Sequence, residues 1–291
     1  MSRRLMLAVL PLVITAGCRS THTQGPLDPA LAAFAPADSL LLAGFHVQEL
    51  MASPVYRKLA AQKGFPRFTG LAGQTGFDPE RDVKELTAAY NGQDTVLIAR
   101  GTFQVRIPES APKTEYKGYT LYGNAESAFV LVDGRTALAG TPPGVRAAID
   151  RSRQGGGGPD LLRYAQALPA ASQIWAVGDN RLAAKVPQTG NLANLRNFFD
   201  PLEYFSLVAE VGESLHATLT GNFRTEADAQ NLTVAAKGIL GLGRLSIPEN
   251  QSDLARLYDA VSVEQRQRSI KVEASVPADL VDKALALLGG R

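Results

Sequence analysis

Few residues in this chain could do chemistry. It holds three histidines, His22, His46 and His216, and one cysteine, Cys18. No two histidines stand at a metal-ligating spacing and no His-Glu-x-x-His motif occurs, so the sequence predicts no metal site and no cofactor. A single cysteine allows neither an intrachain disulfide nor a cysteine-built zinc site. Gly212-Glu213-Ser214-Leu215-His216 puts a serine near a histidine. Two residues apart on a strand, they would share a face but stand about 7 Å apart, and the segment is not a Gly-x-Ser-x-Gly elbow. Asp78-Pro79-Glu80-Arg81-Asp82 alternates acids as a calcium loop does. Such a loop needs glycine sixth and an acid twelfth, where this chain has Val83 and Ala89, so the segment reads as a turn or cap. The glycines of Gly238 to Gly243 sit at a helix end and not after a strand, which argues against a phosphate loop. An enzyme would need acids such as Asp78, Asp133 and Asp179 to converge in one cleft. Tyr116, Tyr119 and Tyr122 recur every three residues around Gly118. On one strand, Tyr116 and Tyr122 would share a face and Tyr119 would take the other. These three form a candidate partner or sugar surface, the alternative being ordinary sheet packing.

Cys18 is the best-defined chemical group. Arg3 and Arg4 precede an apolar run from Leu5 to Ala16, too short to span a bilayer, which needs about 20 residues, but of secretory-signal length. The run closes on Thr15-Ala16-Gly17-Cys18, small residues before a nucleophilic thiol. This end resembles the lipobox of bacterial lipoprotein precursors, which more often has Leu where this chain has Thr15. The resemblance implies cleavage before Cys18 and acylation of its thiol with a diacylglyceryl group and a further chain such as palmitate. Each buried CH₂ would contribute about 0.8 kcal/mol to the membrane anchor. Arg19 stands where an Asp often marks inner-membrane retention in such lipoproteins, which implies the outer membrane, facing the periplasm. Ser2-Arg3-Arg4-Leu5 also resembles a twin-arginine export signal.

The elements carrying these residues follow from composition and period. The formal charge of +2 comes from the two arginines of the leader, so the body is neutral and gives no electrostatic reason to bind nucleic acid. Residues 1–17 read as a signal peptide and 18–35 as a tether without periodicity, stiffened by Pro26 and Pro29. Two stretches of the body then echo each other. Ala35-Pro36-Ala37-Asp38-Ser39 matches Leu168-Pro169-Ala170-Ala171-Ser172, and Pro54 matches Pro187, both at an offset of 133. Gly92 and Gly101 match Gly212 and Gly221, and a strand before Pro142 matches one before Pro277. Period-two alternation at Phe205–Val211, Leu215–Leu219 and Ile270–Val276 predicts strands with one buried face. Thr225 opens a helix in capping-box style; further helices are predicted over 252–259 and 277–288. In the first copy, strands are predicted near 39–46, 83–90, 94–101, 117–123, 127–133 and 135–140, with helices near 47–63 and 143–153. The predicted fold is α+β: two similar units, 36–153 and 169–291, each a mainly antiparallel sheet with helices on one face, joined by a glycine-rich linker and short helix over 154–168.

The turn Gly76-Phe77-Asp78-Pro79 and the hairpin Ala128 to Gly140 are similar to those of exported bacterial families of unknown function with a repeated α+β unit. That resemblance carries over no catalytic residue. The expectation is a lipid-anchored cell-envelope protein with a non-enzymatic binding or structural role, held to the membrane by its N-terminal lipid and meeting a protein partner or apolar ligand. The alternatives are a carrier of an apolar ligand, which needs a cavity beyond about 300 Å³, and an enzyme.

Overall fold

Alternation of apolar and polar residues builds, among the described residues, one antiparallel sheet of twelve strands. The computed structural model describes residues 25–60, 78–104, 107–155, 158–185 and 200–288. The strands are β1 (Leu41–His46), β2 (Val83–Tyr90), β3 (Thr95–Gly101), β4 (Lys113–Tyr116), β5 (Tyr119–Gly123), β6 (Ala128–Leu131), β7 (Thr136–Gly140), β8 (Ile174–Asp179), β9 (Leu202–Val211), β10 (Leu215–Phe223), β11 (Val261–Arg266) and β12 (Ser269–Val276). Their order across the sheet is β11-β12-β10-β9-β8-β1-β2-β3-β7-β6-β5-β4. The central seam pairs β1 with β8, with Ala43 opposite Ala176 and Gly44 opposite Trp175.

The helices are α1 (Pro29–Ala32), α2 (Val47–Ala52), α3 (Pro54–Ala60), α4 (Pro79–Asp82), α5 (Pro142–Arg153), α6 (Leu162–Gln166), α7 (Glu226–Leu245), α8 (Ser252–Asp259) and α9 (Val281–Leu288). The predicted helix 47–63 breaks at Ser53. Pro54 disfavours helical backbone in the residue before it, and Ser53 is extended and accepts a bond from Tyr56 N. Residues beyond Ala60 in that prediction lie outside the described residues. α5 begins at Pro142, capped by Thr141, whose Oγ1 accepts from Gly144 N; α7 is capped by Thr225 in the predicted manner.

Alternation gives the sheet two distinct faces. On the first, Leu42, Val96, Ile98, Val130, Leu138, Trp175 and Val177 meet Val145, Ala148 and Ile149 of α5 and Ala165 of α6 in the largest core cluster. In β9, β10 and β12 this same face is polar, with Ser206, His216, Thr218, Lys271 and Glu273. On the second face, Ile174, Val211, Leu215 and Val276 pack with Val55 of α3, Leu257 of α8 and Val281 of α9, and α7 covers Phe223, Val263 and Ile270 through Ala229, Leu232 and Ala236.

Two expectations are corrected. Over 36–153 helices lie on both faces of the sheet, α5 on the first and α2 and α3 on the second, whereas α7, α8 and α9 of 169–291 share the second face; α1 and α6 lie on the first. The reason is that the strands of the first half carry apolar residues toward both sides. The tether reading of 18–35 also fails over its described part. Leu27, Leu31, Ala32 and Ala35 are each 1% exposed in the main core, and α1 is capped by Asp28, whose carboxylate accepts from Ala30 N. Four apolar side chains at that spacing are buried more favourably than left in water, by about 1.5–3 kcal/mol for each leucine. The segment read as linker is likewise packed in part: Leu161 and Ala165 are buried, and Tyr164 stacks on Tyr204 of β9 with ring centroids 3.7 Å apart.

Candidate functional site

The β4–β5 hairpin turns through Lys117 and Gly118, both with positive φ (50° and 84°). That is the backbone a two-residue turn needs to match strand twist, and glycine adopts it without strain. The turn places Tyr116 directly opposite Tyr119. The two rings therefore share one face, packed against the main core, and Tyr122 points to the other. The predicted split of the three tyrosines is corrected accordingly. A short polar strand, Lys-Thr-Glu-Tyr, ends at Tyr116, so the first tyrosine belongs to a different strand from the other two.

α5 supplies the partners. Arg146, Asp150 and Arg153 lie at helical spacing on its surface. Tyr116 Oη donates to Asp150 Oδ2 at 2.9 Å and Lys117 Nζ donates to Asp150 Oδ1 at 2.6 Å. The Arg146 guanidinium lies 5.5 Å from the Tyr116 ring centre and that of Arg153 lies 5.7 Å from the Tyr119 ring centre, within cation–π range. The bonds from Lys117 and then Tyr116 hold the Asp150 carboxyl below the usual carboxylate range, and Asp150 raises the Lys117 ammonium in turn. The arrangement binds the hairpin tip to the helix.

Beside the hairpin lies a cleft of about 440 Å³, lined by Ile107, Tyr119, Thr120, Tyr122, Leu131 and Val132. Tyr122, Thr120 and Leu131 point to one face of the sheet and Tyr119 and Val132 to the other. The hollow lies against β5 and β6, which are neighbouring strands of the sheet. Two of the three tyrosines singled out in the sequence border it.

The other candidates do not assemble a reaction centre. Ser214 Oγ lies 2.8 Å from His216 Nε2, closer than strand geometry predicts, because Ser214 sits in the turn before β10 and is free of strand alternation. The other ring nitrogen meets the Ser275 hydroxyl at 3.2 Å, a neutral group that cannot offset charge on an imidazolium as a carboxylate does. Asp133 Oδ1 accepts from Arg135 N and Thr136 N in the β6–β7 turn. Asp78 accepts from Glu80 N at the start of α4. Asp179, paired with Arg181, lies at the opposite end of the strands. These acids shape turns and do not converge. Among the described residues His46 Nδ1 is buried without a hydrogen-bond partner, 3.8 Å from Glu49. Among the described residues no group of three or more His, Cys, Asp or Glu side chains could hold a metal ion. Cys18 lies outside the described residues.

α7 carries a feature that periodicity alone did not single out. Its outward side presents Val234, Ile239, Leu242 and Leu245, between 64% and 84% exposed. No helix among the described residues is long and apolar enough to cross a membrane.

No family model matches the sequence, and no curated protein matches it. Two solved structures, crystal forms III and IV of TP0453, are similar in fold, each with a TM-score of 0.51. They are 11% and 12% identical to this chain, cover 89% of it, and are themselves covered over 98% and 97% of their length. At that identity the likeness is one of α+β architecture, spread over nearly the whole of both chains.

Proposed function

We propose that this is a lipid-anchored cell-envelope protein, held at the periplasmic side of the outer membrane, whose folded body binds a partner and does not catalyse a reaction. The observation that carries the reading is the sole cysteine, Cys18, at the end of a basic-then-apolar leader and after two small residues. The folded body begins close behind it: Leu27 is already in the core. From Cys18 to Gly25 an extended chain spans at most about 25 Å, so acylation would hold the body near the bilayer. Binding is supported by the exposed apolar side of α7, since contiguous apolar surface in water marks interaction sites, and by the cleft beside β5.

The body is further read as two like units formed by duplication, each an antiparallel sheet with its own helices. Strand order supports this. Outward from the seam the chain runs β1-β2-β3-β7-β6 on one side and β8-β9-β10-β12-β11 on the other, the same succession of turns and crossings. The seam register supports it too, because Ala43 faces Ala176, the partner that an offset of 133 gives it. The β4–β5 hairpin in one unit and α7 with α8 in the other are then insertions at equivalent places. The carrier reading is favoured less, because the cleft is open and bordered by Thr120 and two tyrosines, not by an enclosed apolar wall.

Metabolic labelling with a fatty-acid probe tests the anchor. The full chain should incorporate label and Cys18→Ser should not. Equal labelling of both, or an unmodified thiol on native material by mass spectrometry, would remove the reading.

A further inference from the structure

We propose that α7 pairs with α7 of a second copy of this chain, antiparallel, crossing at Gly238 and Gly241. The inference deepens the binding role above by naming the partner. It rests on the anchored reading, because a shared bilayer brings the copies together.

The outward side of α7 is uniform in chemistry. Val234, Gly238, Gly241, Leu242 and Leu245 stand at i, i+4, i+7, i+8 and i+11, one side of a helix. Val234, Leu242 and Leu245 are 65%, 68% and 84% exposed, and Ile239 beside them is 64% exposed. The charged residues of this stretch, Lys237 and Arg244, are seven residues apart and so share a different side. There Arg244 Nε donates to Asp259 Oδ1 at 2.8 Å.

The two glycines match another helix as the covering surface. Glycine is the least favourable residue of a helix interior after proline, so each needs a reason. Gly243 has one inside the chain, because a Cβ there would lie 2.5 Å from Tyr258 Cε1. Gly238 and Gly241 are different: among the described residues a Cβ at either would meet nothing within 4 Å. A close neighbour outside the chain supplies the reason, since helix axes come nearer than about 8 Å only where the side chains at the contact are small. A fluid lipid surface moulds itself to any side chain and gives no such reason.

A second copy fits because the strip matches itself. Turned end for end about a point between Ile239 and Leu240, it sets Gly238 opposite Gly241 and Val234 opposite Leu245. That is the condition for a two-fold contact, in which residue i meets j and j meets i. Each of the four large side chains leaves roughly 40–90 Å² of apolar surface in water at about 25 cal/mol per Å², so a pair withdraws about 300–700 Å². A free-standing complex needs about 1,200 Å². The pairing is therefore weak between free molecules and depends on confinement to one membrane, where the effective concentration is high.

The test is disulfide linkage in envelope membranes from cells expressing the full chain, with copper–phenanthroline as oxidant, read on a non-reducing gel. Wild type sets the background from Cys18. Gly241→Cys should link two copies, because its two sulfurs flank the crossing. Val234→Cys or Leu245→Cys alone should not, since each stands about 16 Å along the helices from its own equivalent. Both in one chain should link. Gly238→Leu separates the possible covers. It enlarges the apolar surface, favours the helix and points its Cβ into open space in the single chain, yet wedges two helices apart. It should lower linkage of the doubly substituted chain at least tenfold, with Trp175 emission unchanged. Linkage of either end variant alone would overturn the proposal. So would absent linkage in Gly241→Cys or the doubly substituted chain, or linkage undiminished by Gly238→Leu. Fatty-acid labelling of Cys18 without linkage would remove this pairing and leave the anchor standing.

Discussion

Alanine at Gly44 is the sharpest test of the seam that makes one sheet of the two halves. Gly44 stands opposite Trp175, which is 1% exposed. A Cβ at Gly44 would lie 2.2 Å from Trp175 Cε2 and 2.3 Å from its Nε1. Carbon atoms prefer about 3.5–4.0 Å, so the ring or the strand must move by more than about 1 Å. The ring has nowhere to go, because Leu42 and Val177 beside it are 0% exposed. Overpacking of this kind costs about 1–3 kcal/mol, and a fully buried tryptophan sits at the upper end. Removing glycine from a strand recovers about 0.5–1 kcal/mol of that. The net loss is about 2 kcal/mol. For a body of this size it lowers Tm by about 4–8 °C.

Trp175 is the only tryptophan, so its emission reports the perturbation directly and should shift with the transition. A second substitution separates crowding from general damage. Trp175→Leu alone leaves a cavity and should cost about 3 kcal/mol. Combined with Gly44→Ala, the new methyl enters space already vacated, so the double variant should lose about 1–2 kcal/mol less than the sum. A Gly44→Ala protein with unchanged Tm and emission, or a strictly additive pair, would refute the packing described for the seam.

Two further substitutions probe local geometry. Asp82 is buried, accepts from Arg81 Nε at 2.7 Å and from Asp78 N at 2.9 Å, and its carboxyl is held below the usual range, chiefly by Arg81. A depressed folded value contributes stability above the ordinary carboxylate range and loses it as pH falls through that value. Asp82→Asn should therefore cost about 1–3 kcal/mol at pH 7, and the gap to wild type should narrow toward pH 3 in urea titrations; a gap independent of pH would contradict it. Thr141→Ala removes the cap of α5 and should cost about 1 kcal/mol, seen as a lower urea midpoint at unchanged slope; an unchanged midpoint would show that the cap contributes nothing.

Strand positions were legible wherever one face is polar. In β10 and β12, His216, Thr218 and Thr220 alternate with Leu215, Ala217 and Leu219, and Lys271 and Glu273 with Ile270 and Val272, and the structure keeps that phase. The first half was harder to orient. In β3, Val96 and Ile98 are fully buried while Leu97 and Ala99 face the other side with apolar side chains of their own. A strand apolar on both faces gives no cue to where its helices lie, so cover on both faces of the sheet was not readable. The packing of residues 27–35 was missed because four buried side chains flanked by prolines have no period to detect. The cleft was out of reach for a different reason. Tyr119, Thr120, Leu131 and Val132 look like ordinary strand residues, and only the loss of pairing beyond Tyr122 sets them apart.

The seam explains why a single sheet can change its covered side. Leu42 and Trp175 point to the first face and Phe45 and Ile174 to the second, so β1 and β8 are apolar on both, the pattern of strands buried from two sides. The first-face helices end there, where Tyr164 of α6 stacks on Tyr204 at the edge of the polar region. The second-face helices take over with Leu50 of α2 and Val55 of α3, packed beside Ile174 and Val211. Far from the seam, at β4 and β5, the sheet is covered by α5, attached through Asp150 to a hairpin tip. Tyr116, Tyr119 and Leu121 pack with α5 in the same core cluster, so the hairpin is held to the first face.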